Sequence, residues 1–162
     1  MPTRRPRLIA VTRAVHVIVS IGWIGAVAVF LGIAILGSSS VDARLYAGIY
    51  AALAVSVWTA IVPLAILALV SGVTLSLITP WGLLRHYWVV FKLVLTTGAT
   101  LLLLVHTSVV DAAASSASRD AAHVLQFRLQ LVVDSALALG VLAGITVLAY
   151  VKPRGLTPWA KR

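Results

Sequence analysis

The sequence predicts an all-α integral membrane protein, an up-down bundle of four helices, and three observations carry that prediction. The 162 residues are 61% hydrophobic and 10% charged, with a mean hydropathy of +1.07, whereas soluble domains carry about 25% charged residues. Four apolar stretches reach the roughly 20 residues that a helix needs to cross a bilayer. The interruptions between them are short, so antiparallel neighbours in a single domain are the simplest packing.

The spans are expected at about 9–36, 53–78, 88–110 and 124–151, flanked by basic tails at 1–8 and 152–162. The first span follows Arg4, Arg5 and Arg7, as a signal peptide would. Its apolar run is too long for a signal core, and Gly37-Ser38-Ser39-Ser40 is a weak cleavage site, so it reads as a retained helix. Before the second span, the apolar, tyrosine-rich segment Leu45–Ala52 extends the helix outside the membrane. Pro63 stands inside that span, where it should kink the helix and free a carbonyl. The third and fourth spans form a hairpin turning in Ala112–Ser118.

Charge orients the bundle. Of 13 Lys and Arg against four acids, Arg4, Arg5, Arg7 and Arg13 fall at the start of the first span and Arg85 between the second and third. Lys152, Arg154, Lys161 and Arg162 follow the fourth. The opposite loops hold only Arg44 and Arg119, each with an acid nearby, Asp42 for the first and Asp111 and Asp120 for the second. Both termini are therefore expected in the cytoplasm. The net charge of +9 on so apolar a chain indicates a lipid bilayer as partner rather than nucleic acid. A homodimer and a membrane partner subunit are both compatible with it.

Several chemistries are excluded. The chain has no cysteine, and Met1 is its only methionine, which rules out disulfides, thiolate metal sites, iron–sulfur clusters and methionine-lined copper paths. Glutamate is absent, so no His-Glu zinc motif exists, and neither a phosphate-binding glycine loop nor a serine triad is present. Thr79-Pro80-Trp81 and Thr157-Pro158-Trp159 echo each other. Proline and tryptophan independently suit helix exits and the interfacial aromatic belt, which explains the echo without a duplication.

Ionisable groups within spans cost several kcal/mol if they face lipid, so their partners matter. On the fourth span His123, Gln126, Gln130 and Asp134 fall on one stripe; on the third, Lys92, Thr96, Ala99, Leu103 and His106 do; on the first, Arg13, His16, Ser20, Trp23 and Val27 do. At about 1.5 Å per residue, His16 lies about 10 Å inside the cytoplasmic edge, Lys92 about 6 Å and His106 about 27 Å. A hairpin centred between His106 and His123 brings those two to one depth and returns Asp134 to the level of His16. Two clusters are thus expected: an inner one of Arg13, His16, Lys92 and Asp134 with Ser71 and Thr74, and an outer one of His106 and His123.

The inner cluster is either charge compensation, with Asp134 pairing Lys92, or a proton or ligand site. The outer pair is either two histidines wetted at the interface or a bis-imidazole site for haem or a divalent metal. A haem bridging His16 and His106 is opposed by about 17 Å of depth between them. Arg128 falls off the polar stripe and is expected to snorkel or meet a loop acid.

Three segments carry a resemblance: Val19-Ser20-Ile21-Gly22-Trp23-Ile24-Gly25 after His16, the run from Thr79-Pro80-Trp81-Gly82 through Phe91-Lys92-Leu93-Val94-Leu95-Thr96, and Lys152-Pro153-Arg154-Gly155-Leu156-Thr157-Pro158-Trp159. Together they resemble a family of small four-span membrane proteins of high-GC bacteria, which implies a bacterial plasma membrane. More distantly, the histidine before Trp-x-Gly and the Lys-Leu-x-Leu opening the third span are similar to the superfamily of copper-resistance D-type proteins and J-type membrane protoporphyrinogen oxidases. That resemblance implies haem b, with the oxidase's functional histidine and lysine falling on His16 and Lys92. Leu31-Gly32-Ile33-Ala34 departs from the Pro-Arg-Leu-Phe of the oxidases, which weighs against protoporphyrinogen as substrate. The lack of sulfur ligands weighs against cuprous ions.

The function expected is accordingly a haem-binding or redox-associated membrane protein, with His16, Lys92 and Asp134 forming the inner site and His106 with His123 the outer one. The alternative is a non-catalytic scaffold or accessory subunit whose buried polar groups fix helix register. A small proton-coupled carrier is disfavoured because four spans leave little room for alternating access.

Overall fold

Lipid offers a backbone no hydrogen-bonding partners, so an apolar chain crossing it must satisfy every N–H and C=O internally, and a helix does this along its whole length. In the computed structural model five α-helices meet that demand: α1 (Arg4–Ser38), α2 (Ala43–Ser56), α3 (Val62–Ile78), α4 (Tyr87–Ser115) and α5 (Ala121–Val151). The structure describes the backbone of residues 4–39, 43–115, 121–153 and 155–161, with side chains for 6–39, 44–111, 125–153, 155–158 and 160. The described helices form four segments long and apolar enough to cross a membrane, Pro6–Ser38, Arg44–Ile78, Tyr87–Asp111 and Leu125–Val151. The chain is an all-α integral membrane protein.

The second span is α2 and α3 joined by one wide turn. Pro63 has no N–H to return to the Thr59 carbonyl, and its ring crowds that oxygen. The chain answers by widening the turn before it: Val57–Ile61 is a π turn, closed by the Val62 N–H donating to the Val57 carbonyl. Single π turns of this kind recur where a helix must bend at a working site.

The spans neighbour one another in chain order. α1 packs on α2, α3 and α5, while α4 packs on α2, α3 and α5, so α1 and α4 stand on a diagonal. Trp23, Val27, Phe30 and Ala34 of α1 face Tyr46, Tyr50 and Leu53 of α2 in the core. Gly37 permits the approach of α2, since a Cβ there would lie 2.9 Å from Ile49 Cγ2. Outward, Ile18, Val105 and Leu137 are exposed, as contact with lipid tails requires. Hydroxyls in the spans are hidden by bonding to the preceding turn: Thr100 Oγ1 donates to the Thr96 carbonyl at 2.8 Å and Ser135 Oγ to the Leu131 carbonyl at 2.6 Å.

Arg128 meets the end of α1. Its Nη1 donates to the Ser38 carbonyl at 3.2 Å and its guanidinium lies 4.6 Å from the centre of the Tyr46 ring. It thereby caps the C-terminus of α1; the loop acids Asp42 and Asp120, with which a pairing was expected, lie outside the described residues.

At the other end, the segment after α5 is strapped onto the α3–α4 loop. His86 and Leu156 form an antiparallel bridge, the Thr157 N–H donates to the Arg85 carbonyl at 3.1 Å, and the buried Thr157 hydroxyl donates to the Leu84 carbonyl. The α3–α4 loop thus meets the chain segment carrying the second Thr-Pro-Trp. Gly82, at φ +63°, makes the turn that a residue with a Cβ would resist.

Candidate functional site

A cavity of about 430 Å3 lies along the α1–α4 diagonal at the level of the π turn. Trp23, Val27 and Phe30 supply one wall, and Val57 and Ile61 of the π turn supply another. Space exists because the facing positions on α4 and α5 are small: Gly98, Ala99, Ser135 and Ala138 stand where bulkier side chains would close the gap. Leu95, Leu102 and Leu137 line it and are exposed, so the cavity opens onto the lipid-facing side between α4 and α5. Open to lipid on that side, it is a space that an apolar molecule can enter and fill.

Two ionisable side chains interrupt its wall. His106 Nε2 stands 3.4 Å from Asp134 Oδ2, and both residues line the cavity. The other ring nitrogen of His106, Nδ1, is 2.9 Å from the Leu102 carbonyl. A carbonyl only accepts, so Nδ1 carries a hydrogen and Nε2 is the atom turned to the carboxyl group. The contact attracts only if a proton lies on one partner or the other, as imidazolium and carboxylate or as imidazole and carboxylic acid. At 3.4 Å it is an ion-pair distance, longer than a well-formed hydrogen bond, and Oδ2 of Asp134 is buried without a hydrogen-bond partner. That oxygen is covered by its neighbours, so a ligand in the cavity would meet the rest of the Asp134 side chain, which is 35% exposed.

This placement corrects the expected grouping of the polar residues. Asp134 does not join His16 and Lys92; it stands with His106. The reason is the length of α4, which continues to Ser115 rather than ending near Val110. The α4–α5 hairpin turns later than the sequence suggested, and the partner of His106 moves deeper along α5. The side chain of His123 lies outside the described residues.

His16 and Lys92 do share a smaller pocket of about 100 Å3 between α1, α3 and α4, with Ser76, Trp81 and Trp88 on its walls. His16 Nδ1 is 3.0 Å from Ser71 Oγ, the partner expected from depth. Ser71 gives its own hydrogen to the Leu67 carbonyl at 2.6 Å, so Nδ1 donates and Nε2 is left unbonded by Ser71. Gly72 makes the close approach possible: a Cβ there would lie 3.0 Å from His16 Cε1. Arg13 and Thr74, expected in the same cluster, are exposed, and the Thr74 hydroxyl donates to the Val70 carbonyl.

Haem b needs an imidazole nitrogen facing a space of porphyrin size. His106 commits Nδ1 to its own helix and turns Nε2 to Asp134, and His16 faces a space of about 100 Å3, which suits roughly three waters. Neither histidine, as placed, fits a haem. No group of three metal-ligating side chains occurs among the described residues.

Sequence reasoning found both histidines, Lys92 and Asp134 and missed the cavity that separates them. Its signal was present in the small residues of α4 and α5, which read equally well as close helix packing. Comparison with protein-family models, curated proteins and solved structures gives no match to the chain.

Proposed function

We propose that this integral membrane protein binds a lipid-soluble molecule bearing a carbonyl or hydroxyl group, of the quinone and quinol class, in the central cavity. The His106–Asp134 pair exchanges a proton with the ligand oxygen. The observation that carries the reading is a pair of ionisable side chains, His106 and Asp134, 3.4 Å apart on the wall of a largely apolar cavity of about 430 Å3. That volume falls within the roughly 300–1,000 Å3 of small-molecule sites, and a few polar groups on an apolar wall are their usual composition. This keeps the expected association with membrane redox chemistry while moving it from a haem to a diffusible ligand.

The reading extends to location. The excess of Lys and Arg at one end supports cytoplasmic termini by the positive-inside rule, in the plasma membrane of a bacterium.

Trp23 supplies the test, because it is buried and lines the cavity. A short-chain naphthoquinone titrated into the detergent-purified protein should quench its fluorescence saturably. Trp23→Phe should remove that component, and Asp134→Leu and His106→Leu should each weaken binding by about tenfold, the worth of one charge-assisted hydrogen bond. Quenching that never saturates, or that is unchanged in both leucine variants, refutes the proposal and leaves the pair as a device for helix register.

A further inference from the structure

The smaller pocket gathers positive charge without an acid. Lys92 is half-buried and has no acceptor among the described residues. Lys152, just past the end of α5, holds its ammonium 5.6 Å from the centre of the Trp81 ring, which lines the pocket. His16 also feels the charge of Lys92 across the pocket. No carboxylate lines this space: of the acids among the described side chains, Asp134 stands with His106, and Asp111 lies near the far end of α4.

Two further features show what is missing. Ser76 and Thr79 give their hydroxyl hydrogens to the carbonyls of Gly72 and Leu75, at 2.9 and 2.7 Å, so they add no acceptor strong enough to balance an ammonium. Trp81 and Trp88 meet edge to face, ring centres 5.5 Å apart, at the mouth beside the α3–α4 loop. Tryptophans cluster at the level of lipid headgroups, and basic pockets between spans are suited to anionic headgroups. A lysine held inside a span needs a partner, a wet cavity or a route to the headgroups, and no carboxylate among the described side chains stands beside this one.

We propose that this pocket, formed by His16, Lys92, Trp81 and Trp88 with Lys152 beside Trp81, is a binding site for an anionic phosphate group. About 100 Å3 accommodates such a group. Lys92 Nζ donates to the phosphate oxygens, and Lys152, held against Trp81, adds a second positive charge to the field of the site. The site is separate from the central cavity and does not depend on what fills it.

The test uses the full chain in a neutral detergent, stripped of lipid, with the fluorescence of Trp81 and Trp88 as the signal. Phosphatidylglycerol, phosphatidylcholine and inorganic phosphate are titrated in separate arms. Saturation by phosphatidylglycerol, without response to the zwitterionic lipid or to inorganic phosphate, assigns a lipid headgroup. Saturation by inorganic phosphate, in competition with the anionic lipid, assigns the free anion. Lys92→Met should weaken either by at least about tenfold. Lys152→Gln lies outside the spans and leaves the bundle intact; it should weaken binding by about fivefold, the worth of one lysine near an anionic surface. The proposal is overturned if neither phosphatidylglycerol nor inorganic phosphate produces a saturable change, or if binding survives unchanged in Lys152→Gln.

Discussion

Replacing Asp134 by leucine takes the carboxyl group away from His106 and leaves Nε2 of the imidazole facing an apolar cavity. An unsatisfied buried polar group costs about 1–3 kcal/mol. The side chains of His106 and Asp134 are 29% and 35% exposed, that area turned to the cavity they line, so a value near the lower limit is expected. His106→Leu should cost a similar amount, because it strands the carboxyl group instead. The double variant removes both polar groups and replaces them with side chains that fill space, a change that is often neutral or stabilising. Its destabilisation should therefore fall short of the sum of the singles by about 0.6–1.7 kcal/mol, the range measured for hydrogen bonds between membrane helices. The assay is reversible unfolding in mixed micelles of increasing denaturing detergent, followed by circular dichroism. A sum obeyed to within about 0.3 kcal/mol refutes direct pairing. Lys92→Met combined with Asp134→Leu is the control and should be additive, since the two residues line different pockets.

Three other outcomes are expected. Thr157→Val removes the hydroxyl that the Leu84 carbonyl accepts from and should cost about 1–2 kcal/mol; limited proteolysis should then cut within 152–160 faster than in the parent, and equal rates would dismiss the strap as a stabilising contact. Protein expressed with a haem supply should show no Soret band, because His16 faces a space much smaller than a haem and His106 turns Nε2 to Asp134; a band lost in His16→Ala would instead place haem b in the smaller pocket. In the cysteine-free chain, Ser39→Cys should react with an impermeant maleimide added outside intact cells. Reaction only after the cytoplasm is opened would reverse the proposed orientation.

The four spans were legible because a bilayer admits so few backbone solutions: about 20 apolar residues in a row leave only the helix. Which residues meet across the bundle was less legible, because apolarity marks where lipid begins and not where a helix stops. Ala112–Ser115 continues α4 beyond the expected span, since alanine favours helix whatever surrounds it. A turn set too early also sets the partner of His106 too early on α5, and Asp134 stands 11 residues beyond His123. His16, Ser71 and Lys92 were placed correctly because they lie near the membrane edge from which depth was counted. The cap that Arg128 places on α1 was not legible, because the Ser38 carbonyl is main chain and every residue has one. The π turn could be expected only as a disturbance near Pro63; that it would fall on the cavity wall depends on packing.

The strap between Leu156 and His86 joins two segments about 70 residues apart in the chain. Spans inserted in order from the N-terminus would leave the α3–α4 loop without that partner until α5 is in place. The bridge is thus a late event in assembly, and its formation marks a bundle whose last helix has docked. A contact of such long sequence separation adds little to the speed of folding and acts afterwards, by slowing the departure of the final span.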